Sequence, residues 1–262
     1  MIKKHYIKEL NITGLVKDGS KGYDAKKVQE WLNLWRFIDP NWFHKVTVDG
    51  VYGPQTEAIV REFQTLHSLE ADGVVGKQTY RKLTEPMLNA FSRIEGTDLR
   101  LLIVDYAYQH LKNMPRELYN SNIGPWVRAY MDGNEGKQWA WCMGFVQTIL
   151  DQAFSTLGQQ FLTIMPSSYS CDVVGEHGLN NHTLHRNIDV RANPGLIEPG
   201  DVFLNVKTPH DWVHTGIVIK AEGDVIHTIE GNTNDEGSRE GFEVCMRRRD
   251  FKRNNIDIFK VA

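Results

Sequence analysis

Apolar positions recur at helical intervals through the first two thirds of the chain and give way to extended, β-branched runs near its end. Val28, Trp31, Leu32 and Trp35 predict a first helix, and Thr56, Ile59, Val60, Phe63 and Leu66 predict a second. A third, short helix starts near Lys77 and carries Tyr80 and Leu83. Met87, Leu88, Phe91 and Ile94 predict a partly packed helix. Leu101, Leu102, Val104 and Tyr108 predict another, and a loop with Asn122, Gly124 and Pro125 leads into a short one. Cys142, Phe145, Val146, Ile149, Leu150 and Phe154 form a longer apolar face that Gly158 ends. After Pro194 the runs GDVFLNV, HTGIVIK, DVIHTIE and EGFEVCMRR read as strands separated by turns. Helices first and an antiparallel sheet last make an α+β layout.

The first part holds an internal repeat: DGVYGPQT at 49–56 and DGVVGKQT at 72–79. Asp-Gly marks a turn, the second glycine of each copy suits a tight start to a helix, and Pro54 fits a first helical position. The expected organisation is an all-α three-helix module at 1–85, a semi-rigid connection at 86–97 and an α+β domain at 98–262.

Of 262 residues, 41% are hydrophobic and 24% charged, which excludes a disordered chain. The formal charge of −3 argues against a nucleic-acid surface. The one dense basic run, Arg247-Arg248-Arg249, reads as a solvated face. No window approaches the ~18 apolar residues of a membrane span. The start MIKKHYIKELNITG has no apolar stretch behind its lysines, so no Sec signal peptide is expected.

Three cysteines, Cys142, Cys171 and Cys245, make no disulfide framework. Cys142 opens a predicted helix, where the helix dipole and free amides favour a nucleophilic thiolate. A buried structural thiol is the competing reading. A thiolate enzyme needs a base and a group to orient it. Closing the KAEGD hairpin with a three-residue loop, Ala221-Glu222-Gly223, pairs Lys220 with Asp224. His214 then stands directly opposite Glu230, and Ile217 opposite His227. Glu230 can accept a bond from the imidazole, and Asn232 returns to the same face if the strand persists. His227 lies on the other face, and a one-residue slip would undo the arrangement.

Two resemblances follow from these residues. The run from Ala25 to Leu83, with DGVYGPQTEAIVREFQ and DGVVGKQT, resembles the peptidoglycan-binding-like helical module of bacterial and phage cell-wall enzymes. It implies wall anchoring without chemistry of its own. Its motif residues are read as builders of the fold, with Trp42 or Tyr52 as candidates to stack on sugar if exposed. From Asp98 onward, QWAWCMGFV, PGDVFLNV, HTGIVIK and TIEGNTN resemble the CHAP domain, the cysteine, histidine-dependent amidohydrolases and peptidases of papain-like fold. That resemblance implies Cys142 as nucleophile, His214 as base, Glu230 as orienting carboxylate and Asn232 as a supporting polar residue. The related NlpC/P60 peptidases often place a histidine in the third role, a position His227 would fill.

What these resemblances imply is a peptidoglycan hydrolase that cuts an amide through a thioester, as an N-acetylmuramoyl-L-alanine amidase or a stem or cross-link endopeptidase. The alternative is a wall-binding structural or tail protein with an inactive hydrolase-like domain. Gln138 is a weak second oxyanion donor, and Trp139, Trp141 and Trp212 are candidate substrate-packing aromatics with core packing as the plain alternative. Cys171 reads as structural. His177, His182 and His185 lack a zinc-helix signature, and the Asp132–Gly136 loop lacks a full calcium pattern, so neither a metal nor a cofactor is expected. The expected partner is peptidoglycan. The chain would be made in the cytoplasm and reach the wall or periplasm by holin-dependent release or a secretion machine.

Overall fold

A computed structural model describes residues 1–233 and 241–261. Its elements, in chain order, begin with α1 (Tyr6–Glu9), α2 (Tyr23–Leu34), α3 (Pro54–Leu66), α4 (Lys77–Leu83) and α5 (Glu85–Ala90). Then come α6 (Leu99–Lys112), α7 (Pro125–Tyr130), α8 (Cys142–Thr156), α9 (Cys171–Asn180), β1 (Leu184–His185) and α10 (Asn187–Ala192). The strands β2 (Val202–Thr208), β3 (Asp211–Glu222), β4 (Val225–Thr233), β5 (Glu243–Asp250) and β6 (Ile256–Phe259) close the chain. The sheet order is β1-β6-β2-β3-β4-β5 and each pairing is antiparallel, an α+β fold. Glu240, the first residue of the predicted EGFEVCMRR strand, lies outside the described residues. Among those described, no helix is long and apolar enough to cross a membrane.

The repeat builds α2, α3 and α4 through one device used twice. Gln29 of α2 accepts the amide of Gly50 at 2.8 Å and donates to Asp49 at 2.8 Å. Gln64 of α3 accepts the amide of Gly73 at 2.8 Å and donates to Asp72 at 2.9 Å. Gly50 and Gly73 sit at φ of 72° and 71°, where a side chain would be strained. Each Asp-Gly turn is thus clasped by a glutamine from the helix before it. Trp42 and Tyr52 are buried, so neither offers a face for stacking on sugar. The Trp42 indole donates to the Leu32 carbonyl and the Tyr52 hydroxyl to the Gly73 carbonyl, so both close the module's interior.

The two parts of the chain share one core. Trp31 of α2 meets Trp126 of α7 edge-on at 6.0 Å. Arg128 of α7, 3% exposed, pairs with Glu9 at 2.8 Å, Glu30 at 2.6 Å and Glu135 at 2.7 Å. The Asp151 carboxylate of α8 accepts the backbone amides of Ile2 and Lys3. Met87, Ala90 and Phe91 bury the 86–97 stretch against the same interior. A buried arginine satisfied by three carboxylates holds its neighbours in register, because leaving any member unpaired in a dry interior is costly.

The β3–β4 hairpin departs from its expected register. Its turn is the two-residue Gly223-Asp224, with Glu222 facing Val225 and Gly223 at φ 59°. Glycine in the first central position satisfies such a turn. A bulge between Val218 and Lys220 absorbs the odd residue, so Ile217 faces Ile229 rather than His227. Beyond the bulge the shift is two residues, and a slip of two keeps every side chain on its expected face.

Candidate active site

Helix α8 lays its apolar face on β3 and β4 and presents Cys142 as its first residue. Gly144 lets α8 pack closely against the end of α7, since a Cβ there would lie 2.8 Å from the Tyr130 carbonyl oxygen. Cys142 is buried, receives the Met143 amide, and has both the Cys171 thiol and His214 beside it. Cys171 is the first residue of α9 and, like Cys142, a buried thiol. A hydrogen bond from Cys171 works against desolvation, and His214 adds to it, so the Cys142 pKa falls well below that of an ordinary thiol. Cys171 was expected to be purely structural. Only the convergence of two helix tips brings it here, and no local pattern signals that.

His214 stands on β3 with its Nε2 donating to Glu230 Oε2 at 2.8 Å. Its Nδ1 is buried and is the ring nitrogen left for the Cys142 sulfur. Glu230 is not directly opposite His214. The β3–β4 pairing sets it over Gly216, and it reaches diagonally to the imidazole. A Cβ on Gly216 would lie 2.7 Å from Glu230 Cγ, so the missing side chain is the space through which the carboxyl lies. Burial opposes charge on His214, yet the hydrogen bonds and charges of Cys142 and Glu230 hold its pKa up to about 9. Both shifts favour the thiolate–imidazolium form of the pair.

Glu230 has two further partners. Thr228 donates to Oε1 at 2.5 Å, and Arg249 of β5 donates to Oε1 and Oε2 at 2.5 Å each. Burial pushes the carboxyl pKa up, but Arg249 and His214 outweigh it and bring it to about 2. The basic run therefore does not form a uniformly solvated face. Arg249 turns inward, stacks over Phe203 at 4.9 Å and neutralises the acid that orients the base. Its signal was the β4–β5 register, in which Ile226 faces Arg249.

The thiol opens onto a cavity of about 550 Å³ lined by Glu117, Asn122, Gln138, Cys142, Val213 and Asn232. Asn232 is 2% exposed, its Oδ1 lacks a hydrogen-bond partner, and its φ of 56° marks the irregularity between Glu230 and Thr233 that turns it toward the cleft. Gln138 is exposed on the rim. Glu117, absent from the sequence expectations, is buried and accepts the Asn122 amide at 2.5 Å, and desolvation raises its pKa to about 7.

The three tryptophans separate. Trp139 is half-buried near Tyr169. Trp141 is fully buried and stacked on Tyr130 at 5.5 Å, and Trp212 is buried with its indole donating to Asp257 at 2.9 Å. The last two belong to the core rather than to a substrate surface. His227 lies far along β4, opposite Lys220 and 3.3 Å from Glu222. Among the described residues, no group of three or more His, Cys, Asp or Glu side chains is arranged to hold a metal.

Comparison with known proteins bears on the N-terminal part. An N-acetylmuramoyl-L-alanine amidase, CwlL, from Bacillus licheniformis is 38% identical over 24% of this chain and 18% of its own length. A zinc D-Ala-D-Ala carboxypeptidase from Streptomyces albus G is 31% identical over 27% of this chain and 26% of its own. The chain thus spans about a quarter or less of either relative. The crystal structure of the SleB N-terminal domain is 30% identical, covering 28% of this chain and 93% of that one, with a TM-score of 0.25. The family model described as a putative peptidoglycan binding domain matches residues 21–83, the segment that holds the two clasped Asp-Gly turns.

Proposed function

We propose that the chain is a peptidoglycan hydrolase whose α+β part is a papain-like, CHAP-type cysteine amidase or endopeptidase anchored by the N-terminal module. The observation that carries this reading is the line from Cys142 through His214 to Glu230 at one cavity. The Cys142 thiolate attacks an amide carbonyl carbon, and the carbonyl electrons move to oxygen. The backbone amide of Cys142, with the Gln138 side chain on the rim, receives that oxyanion. His214 gives its Nδ1 proton to the leaving nitrogen, the C–N bond breaks, and a thioester remains. Neutral His214 then takes a proton from water as the oxygen attacks the thioester, and the acid departs to restore the thiolate. Glu230 keeps the ring oriented and its charge compensated throughout.

The module supports the substrate class, since residues 21–83 match a putative peptidoglycan binding domain. The muramoyl–alanine bond and a peptide bond of the stem or cross-link both fit the chemistry. The decisive experiment compares the parent with Cys142→Ala on purified peptidoglycan. The parent should release soluble fragments, and the variant should bind without releasing any. Equal release by the two would overturn the assignment. If neither releases fragments and Cys142 alkylates like an ordinary thiol, the chain is a wall-binding protein with an inert hydrolase-like part.

A further inference from the structure

The cleft does not end at the thiol. Glu117 and Asn120, which line the Cys142 cavity, also line a second cavity of about 290 Å³ whose far wall is the N-terminal module: Asn33, Arg36, Phe37 and Lys45. Lys45 and Tyr119 carry the surface onward into a third hollow of about 430 Å³ along Val46–Val48. The three concavities share lining residues in sequence and lie in a row from the nucleophile onto the module.

The wall between the first two is unusual. Tyr119, Asn120 and Asn122 all adopt φ between 50° and 60°, a left-handed conformation that asparagine accommodates and that is costly for Tyr119. The loop is held from both sides: Glu117 accepts the Asn122 amide, and Asn33 of α2 donates to the Tyr119 hydroxyl at 3.3 Å. Strain pinned between a reactive cleft and a binding module is what a preformed substrate wall requires.

Charge gives the ligand its chemistry. Arg116, on the track's floor, is committed to Glu243 at 2.8 Å and stacks on Phe37 and Phe242. Arg36 and Lys45 are exposed and have no acidic partner among the described residues. The acid of the track, Glu117, is buried. Exposed Phe37 and Tyr119 offer flat apolar faces beside the two cations.

We propose that this track is an extended subsite in which Arg36 and Lys45 hold the carboxylates of a stem peptide next to the one positioned at Cys142. The module then aligns the polymer across the catalytic cleft as well as tethering the enzyme to the wall. The proposal rests on the hydrolase reading for its substrate, but its test does not require turnover.

The probe is insoluble peptidoglycan stripped of phosphate-bearing wall polymers, with full-length Cys142→Ala as the binding protein. Adding Arg36→Ala and Lys45→Ala together should weaken binding about tenfold and flatten its salt dependence. The swap Arg36→Lys with Lys45→Arg should retain binding, and so should the charge-matched control Lys8→Ala with Lys17→Ala. Unchanged binding by the groove double variant, or equal weakening by the control pair, would overturn the subsite. Weakening seen only on unstripped walls would assign the cations to phosphate and overturn the carboxylate assignment. Loss of turnover in the parent chain, with the binding pattern intact, would reject the hydrolase reading and leave the track standing.

Discussion

Arg249 grips both carboxylate oxygens of Glu230, which itself holds the ring of His214. The orienting acid of the proposed triad is therefore an ionised group with a cation on one side and the catalytic base on the other. Replacing Arg249 by methionine should raise the Glu230 pKa and move the acid-side loss of activity to higher pH. It should also cost about 3–5 kcal/mol of stability by stranding a buried charge. Arg249→Lys should recover part of both. A pH profile of kcat/KM alongside urea unfolding checks this, and an unmoved acid limb would rule it out.

The thiolate–imidazolium pair sets a second pH signature. His214 has its pKa raised to about 9 in the folded chain, so its contribution to stability is complete below the ordinary histidine value and is lost as pH rises through about 9. Glu230, lowered to about 2, contributes above the ordinary carboxylate range and loses that contribution as pH falls toward 2. Alkylation of Cys142 by iodoacetamide should stay fast well below the pKa of a free thiol. A rate that follows an ordinary thiol titration would contradict the pairing.

Cys171 lends its hydrogen to the Cys142 sulfur. In Cys171→Ala the alkylation profile of Cys142 should move to higher pH, with activity at neutral pH reduced but not abolished. Cys171→Ser, which keeps a donor, should lie closer to the parent. Identical profiles for parent and alanine variant would remove Cys171 from the site.

Gly216→Ala tests the diagonal reach of Glu230. The new methyl would lie 2.7 Å from Glu230 Cγ, so the carboxyl must move off His214. Activity should fall by about 10²-fold or more, as when a triad's orienting acid is lost, while the chain still binds peptidoglycan. Full activity in this variant would show that the acid reaches the base by another path.

Arg128→Met should detach the module's buried acids from the catalytic part and lower stability by about 3–5 kcal/mol, measured by denaturant unfolding. A change below about 1 kcal/mol would mean that the shared apolar core alone sets the arrangement.

Much of this architecture was legible in the chain because it is local. Asp-Gly turns, proline at a first helical position and a thiol opening an apolar helical face are short-range patterns, and they placed α3, α4 and α8. His214 and Glu230 were found through a register that was itself displaced. Side-chain parity has period two, so a two-residue shift kept them on one face. Arg249 and Cys171 were missed because their roles depend on which strand and which helix tip arrive beside the triad. Trp141 and Trp212 show the converse: nearness in sequence to reactive residues says little about which way an indole turns. Glu117 carries no motif, and its elevated pKa comes wholly from the cleft that forms around it.

The glutamine clasps have a consequence for how such a module can diversify. Gln29 reaches a turn 20 residues away and Gln64 one only 8 away, yet the two knots are the same. The intervening length is thus free to vary: the longer first spacing holds an outgrowth that returns Trp42 to pack on α2 and α3. That outgrowth carries Lys45 and the neighbouring edge that borders the catalytic half. A fastening indifferent to loop size lets a common scaffold acquire a new rim, and through it new reach, while both turns stay clasped.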